Sequence, residues 1–140
     1  MRLIRHLWCL EIRRRFIRSI FNGAMMKKLQ PSDLAIDLTK RSVCSVRVAA
    51  VIWDKHGIYS WGWNSAGPNG FGQCAEIHAI SRANRDRLAG SSIAIAGRRK
   101  AHNVVVSFPC ANCMARLIKV GITTVFIESK DGQWQRIRIK

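Results

Sequence analysis

Residues 74 to 80 read CAEIHAI, which places a thiol, a carboxylate and an imidazole within five residues, directly after the glycine-rich run SAGPNGFGQ. The spacing of Ile77 and Ile80 predicts a helix that begins here, so Cys74, Glu76 and His78 fall on its opening turns. A second motif, PCANC at residues 109 to 113, places Cys110 and Cys113 three apart at the start of another helix-spaced segment. Sulfurs at helix N-termini sit at the positive end of the dipole, which favours thiolates and metal binding. One Cys-x-x-C pair does not make a closed four-cysteine site. A third ligand must come from Cys74 or His78, and with one position left open the arrangement is that of a catalytic zinc. If both joined, the site would close as Cys3His. Each motif alone also has a plainer reading: a redox pair for the two cysteines, a solvated or core-bonded residue for the histidine.

Outward from these motifs the chain alternates between extended and helical patterns. Pro31-Ser32-Asp33 is a helix-start signal, and Leu34, Ile36 and Leu38 carry that helix to about residue 42. Ser45 to Trp53 and Ile58 to Trp63 flank Asp54-Lys55-His56-Gly57 and read as a hairpin. Residues 74 to 88 read as one helix, Ser92 to Gly97 as a buried strand and Val104 to Phe108 as an extended run. Cys110 to Val120 is a helix that stops at Gly121, and Thr123 to Glu128 is a strand. The terminal WQRIRIK alternates charged and apolar residues. This order predicts an α/β fold, with a mixed sheet of about five strands and helices packed against it.

With 140 residues, a single domain can bury its own core without disulfides. Five cysteines, three of them in motif contexts, favour a reducing compartment such as the cytoplasm. Arginines interrupt every apolar run near the N-terminus, so no stretch approaches the ~18 residues that would span a bilayer. The net charge of +16 implies a polyanionic partner or surface. Residues 1 to 24 hold six arginines and one acid between regularly spaced apolar residues, the pattern of a basic amphipathic helix. Residues 1–30 are therefore read as an N-terminal extension to a domain at 31–140. The extension could contact an anionic membrane or nucleic acid, act as a targeting peptide, or lie upstream of the working protein, since Met25-Met26 offers an alternative start. Without residues 1 to 24, the loss of six bases and one acid lowers +16 by five to +11, so the remaining chain is basic by itself.

CAE at 74 to 76 together with PCANC at 109 to 113 resembles the cytidine and deoxycytidylate deaminase superfamily, whose signature is His or Cys, Ala, Glu, then PCxxC. VRVAAVIWDKHGIYSWGWN at 46 to 64 looks like that family's first hairpin, and GITTVFIES at 121 to 129 looks like the strand after its second zinc helix. The resemblance covers roughly residues 31 to 129. It implies a three-layer fold with helices on both faces of the sheet, and Zn²⁺ held by Cys74, Cys110 and Cys113. It also implies Glu76 as the proton-transferring acid and base, and substrate contacts from Asn64, Trp63, Ala75 and Pro109. His78 then falls outside the metal shell. Three thiolates weaken a metal as a Lewis acid, so a compensating cation is expected near a sulfur, with Arg82 and Arg116 nearest in sequence.

The implied reaction is hydrolytic conversion of cytosine to uracil, in single-stranded nucleic acid or in a nucleotide such as CMP or dCMP. Free-nucleoside members carry an acid two residues after the asparagine, where this chain has Ala66. Gly-Trp-Asn at 62 to 64 also looks like tRNA adenosine deaminases, which keeps adenine open as an alternative. Arg98-Arg99-Lys100, the alternating Arg136, Arg138 and Lys140, and Trp61 with Trp63 could track a phosphate backbone and stack an unpaired base. A non-catalytic basic zinc module closed by His78 is the competing reading, and a second copy of the chain is a further candidate partner.

Overall fold

A computed structural model of the chain describes residues 29–67 and 72–139. The basic N-terminal segment and the amphipathic helix expected in it, the tip of the glycine-rich loop and Lys140 lie outside the described residues. Helix α1 (Pro31–Leu38) starts at the proline and buries Leu34, Ala35 and Leu38 along one side. A 3-10 turn, Thr39–Arg41, extends it to the expected end near residue 42. Strands β1 (Arg47–Asp54) and β2 (Gly57–Trp63) then form the antiparallel hairpin. Next come α2 (Ala75–Arg82), α3 (Arg85–Leu88), β3 (Ser92–Arg98), β4 (Val104–Val105), α4 (Ala111–Val120), β5 (Thr124–Glu128) and β6 (Trp134–Arg138).

The strands make one six-stranded sheet in the order β2-β1-β3-β5-β6, with β4 paired to β3. Only β3 and β5 run parallel; the other pairs are antiparallel, so the sheet is mixed as expected. The parallel pair requires a crossover, and α4 supplies it.

Strands β1 and β3 are buried on both faces, which explains why their sequences read as nearly continuous apolar runs. On one face Ala50, Ile52, Ile93, Ile95, Val125 and Ile127 pack with Ala79, Ile80, Leu88, Leu117 and Ile122. Each fully buried large aliphatic side chain in that layer contributes roughly 1.5–3 kcal/mol. The intervening Ala49, Val51, Ala94 and Ala96 point to the opposite face. They are also buried, and α1 covers β1 and β3 there. Alanines at these positions let a helix approach the sheet closely. Helix, sheet and helix layers thus form the three-layer α/β fold.

Two expectations change. The helix predicted over 74–88 is broken: Ala83 is extended, and Asn84 caps a separate short α3 by accepting a hydrogen bond from the Asp86 N–H at 3.0 Å. A good N-cap residue inside an apolar helical period ended the helix, and the restart still delivers Leu88 to the core. The extended run at 104–108 pairs only over Val104–Val105. Beyond it Ser107 lies against Gly97, where a β-carbon would come within 2.1 Å of the Ser107 Oγ. Absence of a side chain at Gly97 lets this strap cross the strand on its way to Pro109.

No helix among the described residues is long and apolar enough to cross a membrane.

Candidate metal centre

Both motifs open helices at the same end of the sheet. Cys74 is the N-cap of α2 and Cys110 the N-cap of α4, each with extended backbone. The Cys110 sulfur accepts from the Cys113 N–H at 3.4 Å, a capping contact that turns Cys113 back toward it. The Sγ atoms of Cys74, Cys110 and Cys113 all lie within 4.8 Å of one another. Cys113 is buried, whereas Cys74 and Cys110 are exposed.

The strand–helix contact that sets this geometry comes from β2. Gly62 faces α2 so closely that a β-carbon would stand 2.6 Å from the Ala79 nitrogen. Two residues earlier, Ser60 Oγ donates to the Ala79 carbonyl at 2.6 Å. The helix is therefore pinned to the strand by a missing side chain and a buried hydroxyl, which fixes where its first turn presents Cys74 and Glu76.

Glu76 is 5% exposed, an uncommon state for a carboxylate. Burial pushes its carboxyl above the ordinary range, while hydrogen bonding with the Cys113 thiol and its own backbone N–H pulls the other way. Burial also raises the Cys74 thiol. Cys113 is driven far upward by burial and by the Glu76 carboxylate beside it. Cys110 alone is lowered, first by the Cys113 backbone N–H and then by the Cys113 thiol. Three thiols and a carboxylate gathered so tightly resist ionising together unless a cation is shared among them.

A divalent zinc suits that donor set. Tetrahedral coordination with Zn–S of ~2.3 Å sets sulfurs about 3.8 Å apart, inside the 4.8 Å that bounds the three Sγ separations here. Among the described residues the three cysteines are the one group of three candidate ligands so placed.

His78 is engaged elsewhere. Its Nδ1 lies 3.2 Å from the Trp63 backbone nitrogen and 3.2 Å from the Trp63 carbonyl oxygen, and its ring meets the Trp63 ring edge-on with centroids 5.0 Å apart. Arg82, expected near a sulfur, stacks over Trp61 and Trp63 at 5.6 and 5.8 Å from their ring centroids. Arg116 is exposed on α4.

Asn64 is held from three sides. Its Oδ1 accepts from Ser42 Oγ at 2.6 Å and from the Val48 N–H at 2.9 Å, and its Nδ2 donates to the Val46 carbonyl at 2.8 Å. Ala75 is buried beside Glu76, and Pro109 is half-buried just before Cys110. The basic run splits in the fold. Arg98 is 8% exposed and forms two bonds to the Glu128 carboxylate, at 2.8 and 3.1 Å, so it is no part of a cationic surface. Arg99 and Lys100 are exposed. Arg136 and Arg138 are exposed on one side of β6.

Sequence reasoning missed the clamp of Ser42 on Asn64, for which a lone serine before a strand carries no signal. It also missed the pairing of Arg98 with Glu128, residues that lie 30 apart.

Residues 25–129 match the family described as "Cytidine and deoxycytidylate deaminase zinc-binding region". Among solved structures the chain is similar to cytidine deaminase from Burkholderia pseudomallei, with TM-score 0.63 and 18% identity over 76% of this chain and 88% of that one. It is similar to dCMP deaminase from the cyanophage S-TIM5 in complex with dCMP and dUMP, with TM-score 0.54 and 18% identity over 70% and 82% of the two chains. Cytidine deaminase from Mycobacterium leprae gives TM-score 0.51 and 19% identity over 75% and 88%. No curated protein sequence matches. At these identities the solved structures establish a common fold, while the family match spans most of the chain and includes both cysteine motifs. The chain belongs to the cytidine and deoxycytidylate deaminase family, whose members are zinc-dependent hydrolytic deaminases.

Proposed function

We propose that the chain deaminates cytosine to uracil in a nucleotide such as CMP or dCMP, or in a single strand of nucleic acid. Cys74, Cys110 and Cys113 would hold the zinc, and Glu76 would move the protons. The observation that carries this reading is the position of Glu76, a buried carboxylate in the first turn of α2 against the Cys113 thiol.

Bound zinc supplies the Lewis acidity that makes water a nucleophile near neutral pH. Glu76 accepts the proton from the attacking water and delivers it to the ring nitrogen next to the amino-bearing carbon. It then takes the remaining proton of the added hydroxyl and passes it to the amino group, which leaves as ammonia as the ring carbonyl forms. A buried carboxyl whose affinity for protons is raised is suited to holding a proton between these transfers. Ala75 and Glu76 are both buried at the start of α2, while Trp63 packs against His78 and Arg82.

Asn64 spends three hydrogen bonds on the chain itself, which leaves one amide hydrogen for a substrate. Its main work in this reading is to hold the end of β2 against the start of β1. The closed Cys3His module is disfavoured because the Trp63 peptide already engages His78.

The test is ammonia release from cytidine, CMP, dCMP, adenosine and cytosine-containing single-stranded oligonucleotides. Turnover of a cytosine substrate that disappears in Glu76→Gln supports the proposal. Turnover of adenosine alone, or no turnover by a zinc-loaded protein on the whole panel, overturns it.

A further inference from the structure

An open cavity of about 380 Å³, lined by Ser45, Val46, Arg99, Lys100 and Asn103, lies outside the thiol cluster. Two cations face it and no carboxylate lines it. Among the described residues neither the Arg99 nor the Lys100 side chain has a hydrogen bond or ion pair, in contrast to Arg98, which is neutralised by Glu128. Ser45 and Asn103 add a hydroxyl and an amide that can donate to an anion.

The backbone there is shaped for the purpose. Ala101 and His102 both adopt φ 61°, a left-handed conformation that non-glycine residues rarely take twice in succession. The Arg99 N–H donates to the Asn103 carbonyl at 2.9 Å across the turn, and Arg47 donates to the Arg99 carbonyl at 3.2 Å. These contacts hold the turn from β3 to β4 over the start of β1. Backbone strain of this kind concentrates at binding sites.

Position links the cavity to the deaminase site. Arg47 at the start of β1 pairs with Arg98 at the end of β3, and Ala49 pairs with Trp63 at the end of β2. Val46 accepts from Asn64, and the neighbouring Trp63 peptide engages His78 on the helix that Cys74 caps. Cavity and thiol cluster therefore share one end of the sheet.

We propose that this cavity is a phosphate subsite, in which Arg99 and Lys100 bind the phosphate of the molecule whose base enters the thiol site. The inference rests on the cytosine-deaminase reading and deepens it, by naming the residues of this chain that hold the phosphate of its substrate. The phosphate could be the monoester of a free nucleotide or a diester of a strand, and both present the same anionic oxygens to a guanidinium and an ammonium.

The experiment compares the zinc-loaded full chain with Arg99→Gln/Lys100→Gln, and with Lys55→Gln as a control cation in the β1–β2 turn at the other end of the sheet. Steady-state kinetics are measured with cytidine, dCMP and a single-cytosine oligonucleotide, and dUMP and uridine binding are followed by calorimetry. The expected result is a fall of at least about tenfold in the preference for dCMP over cytidine, expressed in KM and not in kcat, with weaker dUMP binding and no such change in Lys55→Gln. If the source is a strand, the oligonucleotide suffers the larger loss and its salt dependence becomes shallower. Equal losses on cytidine and dCMP, or unchanged dUMP binding in the double variant, overturn the subsite while leaving deamination standing. If no substrate is turned over, dUMP binding still decides the subsite: binding lost in the double variant supports it, and unchanged binding overturns it.

Discussion

The Nδ1 atom of His78 lies 3.2 Å from the Trp63 backbone nitrogen and 3.2 Å from the Trp63 carbonyl oxygen, so the one histidine in the CAEIHAI segment is used to join α2 to the end of β2. His78→Ala should therefore retain about one zinc per chain, whereas Cys110→Ser or Cys113→Ser should lose it. Metal analysis of purified protein checks both. Zinc lost from the histidine variant and kept in the cysteine variants would reverse the assignment.

Glu76→Gln keeps the shape of the side chain and removes its ability to accept a proton. Turnover should fall by about 10²- to 10⁴-fold, the range for loss of a positioned acid–base group, with zinc content and thermal unfolding little altered. A variant that loses zinc along with activity would mean that the carboxylate serves the metal centre directly.

The Arg98–Glu128 pair joins the end of β3 to the end of β5, with side chains 10% and 5% exposed. Glu128→Ala leaves a buried guanidinium without its partner and should cost about 3–5 kcal/mol in urea unfolding of the zinc-loaded protein. Replacing both, Arg98→Met with Glu128→Leu, should recover most of that loss. If the double variant is as unstable as the single, packing around the pair, and not its charge, is what holds these strands.

Acid stability should report on Asp54. Two bonds from Arg87, at 2.7 and 2.8 Å, hold its carboxyl down to about 2 from an ordinary value of 3.8, and Arg87 also stacks on Tyr59 at 4.0 Å. Because the folded value is depressed, the stabilisation is complete above the ordinary value and is lost as pH falls through the folded one. The difference in stability between the wild type and Asp54→Asn should stay constant from pH 7 to about 5 and close between about pH 4 and 2. Chemical denaturation at stepped pH measures it. A difference that persists at pH 2 would assign the effect to packing of the side chain.

Local patterns along the chain point to the three cysteines, the acid beside them, the hairpin and the mixed sheet. Each rests on a local pattern: apolar runs of strand length, helix-start residues, and two motifs whose internal spacing is short. Local spacing also places Cys74, Cys110 and Glu76 at the starts of helices without reference to any tertiary contact. The motifs by themselves leave Cys74 and His78 open as company for the Cys-x-x-C pair, and the family resemblance favours Cys74. The fold brings the Cys74 sulfur beside that pair and turns His78 elsewhere, which depends on where β2 meets α2. The close approach at Gly62 and the bond from Ser60 set that contact, and the Trp63 peptide then occupies the imidazole. The fold also separated three consecutive basic residues that look alike in sequence. Arg98 is the last residue of a strand buried on both faces, so it pairs with Glu128, whereas Arg99 and Lys100 begin a turn and remain exposed. Partners thirty residues away in the chain are chosen by strand register, and no local pattern records that register.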